Sequence, residues 1–159
     1  MLFRSGNTRL LKRSDGRPVV EFGGGTQRDV TAPWNFTVGS AASDWQMLAA
    51  ETIGGVNKIL WRHNTAHFLH TWTTDSNWAW QSSGDVDLFG SLASWNLETQ
   101  FNVDADGDGI IGAPLTTVEA QGNTRLLKRS DGRPVVEFGG GTQRDVTAPW
   151  NFKIGRAHV

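Results

Sequence analysis

The sequence predicts a mostly β fold, with short antiparallel strands joined in meanders and hairpins. Glycine and other turn residues punctuate the chain about every eight to twelve residues, the rhythm of short strands separated by tight turns. Two glycine-centred turns, Gly54-Gly55 and Ser130-Asp131-Gly132, sit between runs of strand-forming residues and read as hairpin turns. Only the stretch leading to Asp104 carries a helical pattern.

In chain order, 8–22 is read as strands, because the same residues return at 124–138 in a candidate meander. Gly23-Gly24-Gly25 lacks the following Lys-Ser/Thr and helix of a phosphate loop, so it reads as a bulge or flexible loop. A second meander is predicted over 45–52, 57–62 and 67–73, turning at Gly54-Gly55 and His63-Asn64. The stretch 77–81 adds a strand with Trp78 and Trp80 on one face, because side chains alternate. From Trp95 to Val103 apolar and polar residues alternate as in a strand. Leu97, Phe101 and Asp104, however, are spaced as in the incoming helix of a calcium loop, and the reading is a short helix. Strands over 116–121, 124–129 and 134–138 close the chain.

The organisation rests on a verbatim repeat. The thirty-one residues from Gly6 to Phe36 recur letter for letter from Gly122 to Phe152, an offset of 116. That period is too long for a solenoid unit and fits a complete small domain. The segment 37–43 (TVGSAAS) reads as a linker. On that frame 44–152 is one module, whose neighbours in the array are its partners, and 6–36 is the end of a preceding one. The copy at 6–36 is then expected to be the more weakly packed.

Neither end repeats. Residues 1–5 read back as GTG CTC TTC CGA TCT and the last seven as AG ATC GGA AGA GCA CAC GTC. These strings are reverse complements and resemble a short-read sequencing adapter. Residues 1–5 and 153–159 are therefore set aside as non-native tails.

A chain of 159 residues can build a real core. With no cysteine it has no disulfide, thiol nucleophile or thiolate metal site. The net charge of −1 hides an uneven distribution: 6–36 carries a net +2 and 37–121 a net −8. An acidic module disfavours nucleic acid, which is bound by cationic neutralisation of phosphates. No apolar run reaches membrane-spanning length.

The sharpest chemical signal is Asp104-Ala105-Asp106-Gly107-Asp108-Gly109-Ile110-Ile111. Carboxylates at alternate positions converge on one cation, and glycine permits the turn. Ile110 is expected to offer its carbonyl and Ile111 to anchor the loop in the core. Oxygen ligands of this kind select Ca²⁺ over a transition metal. Leu115 stands where an EF-hand has its bidentate Glu, which leaves Glu98 or Glu119 to complete the shell.

One period holds seven tryptophans: Trp34, Trp45, Trp61, Trp72, Trp78, Trp80 and Trp95. Most are expected in the core, where a small disulfide-free β domain needs large apolar side chains. Trp78 and Trp80, flanked by Asn77 and Gln81, are the candidates for exposed platforms on which a sugar ring stacks. His63, His67 and His70 lie near one another, but their spacing does not enforce a metal site. No Ser/His/Asp ordering or isolated carboxylate pair indicates hydrolysis.

The run from Trp45 through Glu51, Gly55, Asn57 and Trp61, then Trp72, Asp75, Asn77 and Trp78, then Phe101 to Gly112, resembles the tryptophan-rich Synechocystis C-terminal domain family. The likeness covers about 44–112. Where the family's loop usually has Asn, this chain has Asp106. The resemblance implies a place in large, repetitive cyanobacterial proteins that look exported or surface-bound. It implies no catalytic activity, and metal ligands carry over only as Asp104, Asp106 and Asp108. The function expected is therefore that of a calcium-stabilised, non-enzymatic module, adhesive or structural, in an exported or cell-surface protein. The alternative is a glycan-binding module that holds extracellular polysaccharide on Trp78 and Trp80. A part in a secreted hydrolase ranks last.

Overall fold

The computed structural model describes residues 4–5, 8–130, 132–138 and 142–146. They divide into two compact units, Met1–Gly112 and Ala113–Val159.

The first unit holds two four-stranded antiparallel meanders. One runs β1 (Arg4–Ser5), β2 (Thr8–Lys12), β3 (Pro18–Phe22) and β4 (Thr26–Asp29), and the other β5 (Trp45–Ile53), β6 (Val56–His63), β7 (Phe68–Thr74) and β8 (Trp80–Leu88). The β5–β6 turn shows why the sequence folds this way. Gly54 and Gly55 take φ of 60° and 82°, the pair of positive values that a two-residue primed turn requires. Ile53 then pairs with Val56, and the register runs back to Trp45 opposite His63.

The second meander is apolar on both faces. Met47, Ala50, Ile59, Trp61 and Trp72 lie on one side, and Leu48, Ala49, Leu60 and Leu69 on the other. A bulge between Met47 and Ala49 breaks simple alternation, so the consecutive Leu48 and Ala49 share a cluster. Such a sheet needs a layer on each face. One layer is the helix α1 (Leu92–Phe101) with the loop after it, through Phe101, Val103 and Ala105. The other is the first meander, through Leu10, Val20 and Val30, joined by Phe22 and Phe36. The Thr8 hydroxyl also donates to the Ala50 carbonyl.

This corrects the frame read from the sequence. The copy at 6–36 is not an orphaned tail, and 44–152 is not the compact unit. The described part of that first copy is one wall of the core, through Leu10, Val20 and Val30. Nor is 37–43 a linker. The Val38 N–H donates to the Gly16 carbonyl at 2.9 Å, and Met47 N–H donates to Val38 at 2.7 Å. Gly39 bridges to Gln46 so closely that a Cβ would lie 2.0 Å from the Trp45 carbonyl oxygen. Of the residues set aside as tails, Arg4 and Ser5 pair with β2, while 1–3 and 153–159 lie outside the described residues.

The second unit forms one sheet from β9 (Leu115–Glu119), β10 (Thr124–Arg129), β11 (Pro134–Phe138) and β12 (Thr142–Asp145), in the order β12-β11-β10-β9. Identical residues pair identically: Leu126 faces Val136 as Leu10 faces Val20. Asp131 of the expected hairpin turn and Gly139–Gly141 lie outside the described residues. Burial separates the copies. Val30 is 5% exposed and its counterpart Val146 37%, while Leu126 and Val136 are only half-buried. The first copy is thus the better packed, opposite to the expectation.

Candidate functional site

The acidic loop is built on α1. Ser91 caps the helix by accepting the Ser94 N–H at 3.1 Å. Asn102 ends it in the left-handed region at φ 49°, which Asn tolerates better than most residues. Ser94, Glu98 and Phe101 form the buried stripe, spaced so that they share one face. Glu98 is therefore carried beneath the loop, 1% exposed.

The Glu98 carboxylate organises the loop. Oε1 accepts the N–H groups of Ala105 and Asp106 at 3.0 and 3.1 Å, and Oε2 accepts that of Gly112 at 2.9 Å. Asp104 accepts from Gly107 and Gly109, at 2.8 and 3.0 Å, one on each oxygen. Asp106 and Asp108 each accept from the residue two positions on. Arg62 of β6 ties the loop to the sheet by donating to the Ala105 carbonyl at 3.2 Å.

One carboxylate oxygen each from Glu98, Asp104 and Asp106 lies within 4.8 Å of the others. Burial, above all, pushes the Glu98 carboxyl up, opposed by its three backbone N–H bonds. Burial also raises Asp106, and the neighbouring Asp108 and Asp104 charges add to it, with Arg62 the smallest of the opposing influences. This donor set fits a hard divalent cation: the atoms are all oxygen, their lone pairs outnumber the N–H bonds they accept, and their charges are clustered.

Of the three expected carboxylates the structure thus brings together two, Asp104 and Asp106, and of the two glutamates left to complete the shell it joins Glu98 to them. Asp108 lies outside the group and is turned into its own hydrogen bond with Ile110. Ile110 and Ile111 are 43% and 48% exposed, so Ile111 does not anchor the loop. Val103 and Ala105, ahead of and inside the motif, fill that role. The incoming segment is a helix, as the Leu97–Phe101 spacing indicates.

The tryptophans divide differently from the expectation. Trp78 is 1% exposed and lies in the turn before β8 at φ 65°. Asp75 builds this turn by accepting the N–H groups of Asn77 and Ala79. Trp78 is therefore core and no platform, and Trp80 packs half-buried against the same cluster. Among the described residues the exposed indoles are Trp34 at 44% and Trp45 at 41%. They stand over a groove of about 550 Å³ floored by Trp61 and Trp72. The sequence holds a signal for it: the Gly54-Gly55 turn fixes a register that puts Trp45, Trp61, His70 and Trp72 on one face. Assigning Trp34 and Phe36 to another module conceals it. The three histidines do not gather; His63 and His70 flank Trp45 instead.

Fold and loop define a class of protein, a tryptophan-cored β module closed by a helix and an acidic loop. The family model of the tryptophan-rich Synechocystis species C-terminal domain matches residues 8–112, and the chain belongs to that family. No curated protein and no solved structure matches the chain. The matched segment ends at Gly112, as the first compact unit does.

Proposed function

We propose that this chain is part of a tandem-repeat protein exported to the cell surface, in which each module is a non-catalytic, calcium-stiffened adhesive or structural unit. The observation that carries the calcium reading is the convergence of Glu98, Asp104 and Asp106 within 4.8 Å. A cation there would tie α1 to both halves of the loop, since Glu98 already holds the N–H groups of Ala105 and Gly112. The verbatim repeat supports an array, and membership of a family found in repetitive, exported-looking proteins supports the location. Among the described residues no helix is long and apolar enough to cross a membrane. Calcium would be scarce during export and abundant outside, so rigidity would arrive with location.

Calorimetric titration tests this reading. One calcium site per chain is expected, lost in Asp104→Asn; no binding heat up to millimolar calcium would overturn it.

A further inference from the structure

We infer that the groove between Trp34 and Trp45 is a binding site for a neutral glycan chain, independent of the acidic loop. It exists because the strands of the covering sheet, four or five residues in β2 to β4, are shorter than the seven to nine of β5 to β8. Near the Trp45 end of the larger sheet the segment 34–44 covers the aromatic face in place of strands, and the groove lies between that segment and the sheet.

The ring geometry is that of a floor with two walls. Trp61 and Trp72, buried and 4.7 Å apart between centroids, form the floor. Trp34 meets Trp72 at 88° and Trp45 meets Trp61 at 87°. The wall rings keep more than two-fifths of their surface exposed, an arrangement that leaves large apolar faces for a flat ligand to stack on. A volume of about 550 Å³ lies within the range of small-ligand sites.

The polar groups select the ligand. Asn35 and Thr37 line the groove and make no side-chain hydrogen bond among the described residues. Asp44 spends one oxygen on Thr65 and keeps the other. Unused donors and acceptors beside apolar ring faces match a sugar, whose hydroxyls do both and whose C–H faces stack. A quaternary ammonium would use none of the donors, and a lipid would bury all of them unpaired. The lining contains no Lys or Arg, which disfavours polyanions. A run of prolines has no backbone N–H and offers carbonyl acceptors alone, which leaves Asp44 unused.

The test is affinity electrophoresis of the full chain in gels containing a soluble β-glucan, xylan, galactomannan or dextran, with the affinity measured by calorimetry. The proposal expects retardation by at least one of the four. Trp34→Ala and Trp45→Ala should each weaken binding about tenfold or more, as truncating a central aromatic anchor does. Asn35→Ala touches no protein partner, so its loss of affinity at an unchanged melting temperature separates ligand contact from folding. Chelating calcium below the melting temperature should leave binding in place, so this result and the calcium result fail separately. Absence of retardation by all four, retardation unchanged in the variants, binding to a proline-rich peptide alone, or self-association through the groove without sugar binding would each overturn it.

Discussion

Leu10 and Leu126 occupy the same place in two identical stretches of sequence, so truncating each to alanine gives a matched pair. Local propensity, turn chemistry and the unfolded chain are common to both and cancel. What differs is the layer opposite. Leu10 is 6% exposed, in one cluster with Met47, Ile59 and Trp61, whereas Leu126 is half-buried in a separate unit. Leu10→Ala should cost the first unit about 2–5 kcal/mol, the range for a buried leucine. Leu126→Ala should leave that unit within about 0.5 kcal/mol of the parent. Urea unfolding followed by tryptophan fluorescence reports mainly the first unit, because seven of the eight tryptophans precede residue 113. With a slope of about 1–3 kcal/mol per molar urea, Leu10→Ala should lower the midpoint by roughly 1–2 M. Equal midpoint shifts in the two variants would show that the second copy covers the β5–β8 sheet, and would restore the 44–152 frame.

Trp78→Ala should destabilise the first unit by about 3–5 kcal/mol, and Trp34→Ala by about 1 kcal/mol or less; denaturant midpoints read both, and similar costs would place Trp78 outside the core. Glu98→Gln offers one acceptor oxygen to loop N–H groups that now share two, so a loss of about 1–3 kcal/mol is expected; an unchanged melting curve would remove Glu98 as the brace. At Gly112, φ is 82° and a Cβ would meet the Thr99 hydroxyl at 2.5 Å. Gly112→Ala should cost about 1–3 kcal/mol, read by thermal melting, and a neutral result would mean that the loop end is not fixed there.

Much of the fold is legible wherever a short-range signal decides the structure. Gly54-Gly55 fixes a hairpin by itself, and the β9, β10 and β11 strands fall within a residue or two of the predicted ones. The acidic loop announces itself through closely spaced aspartates. Three features lie beyond that reach. Identical copies carry identical local signals, so only the bare face of the β5–β8 sheet distinguishes the covering copy from the other. The choice of Glu98 over Glu119 is the second, because only helical geometry, which carries the Glu98 side chain under the loop, singles it out. Trp78 looks like a strand residue if alternation is assumed through 77–81. Asp75 is the available correction, since its side chain closes a turn two residues on and rolls Trp78 into the core.

The most direct measurement is the melting temperature of the full chain with calcium and with chelator, in the parent and in Asp104→Asn. A cation bound only by the folded state at a hundred times its dissociation constant stabilises it by about 2.7 kcal/mol, which for a domain of this size is roughly 10 °C. The account predicts a rise of that order in the parent and a flat response in Asp104→Asn. Asp108→Asn should keep part of the rise, because Asp108 lies outside the converging group. Coincident melting curves for the parent in calcium and in chelator would contradict the calcium-stiffened module.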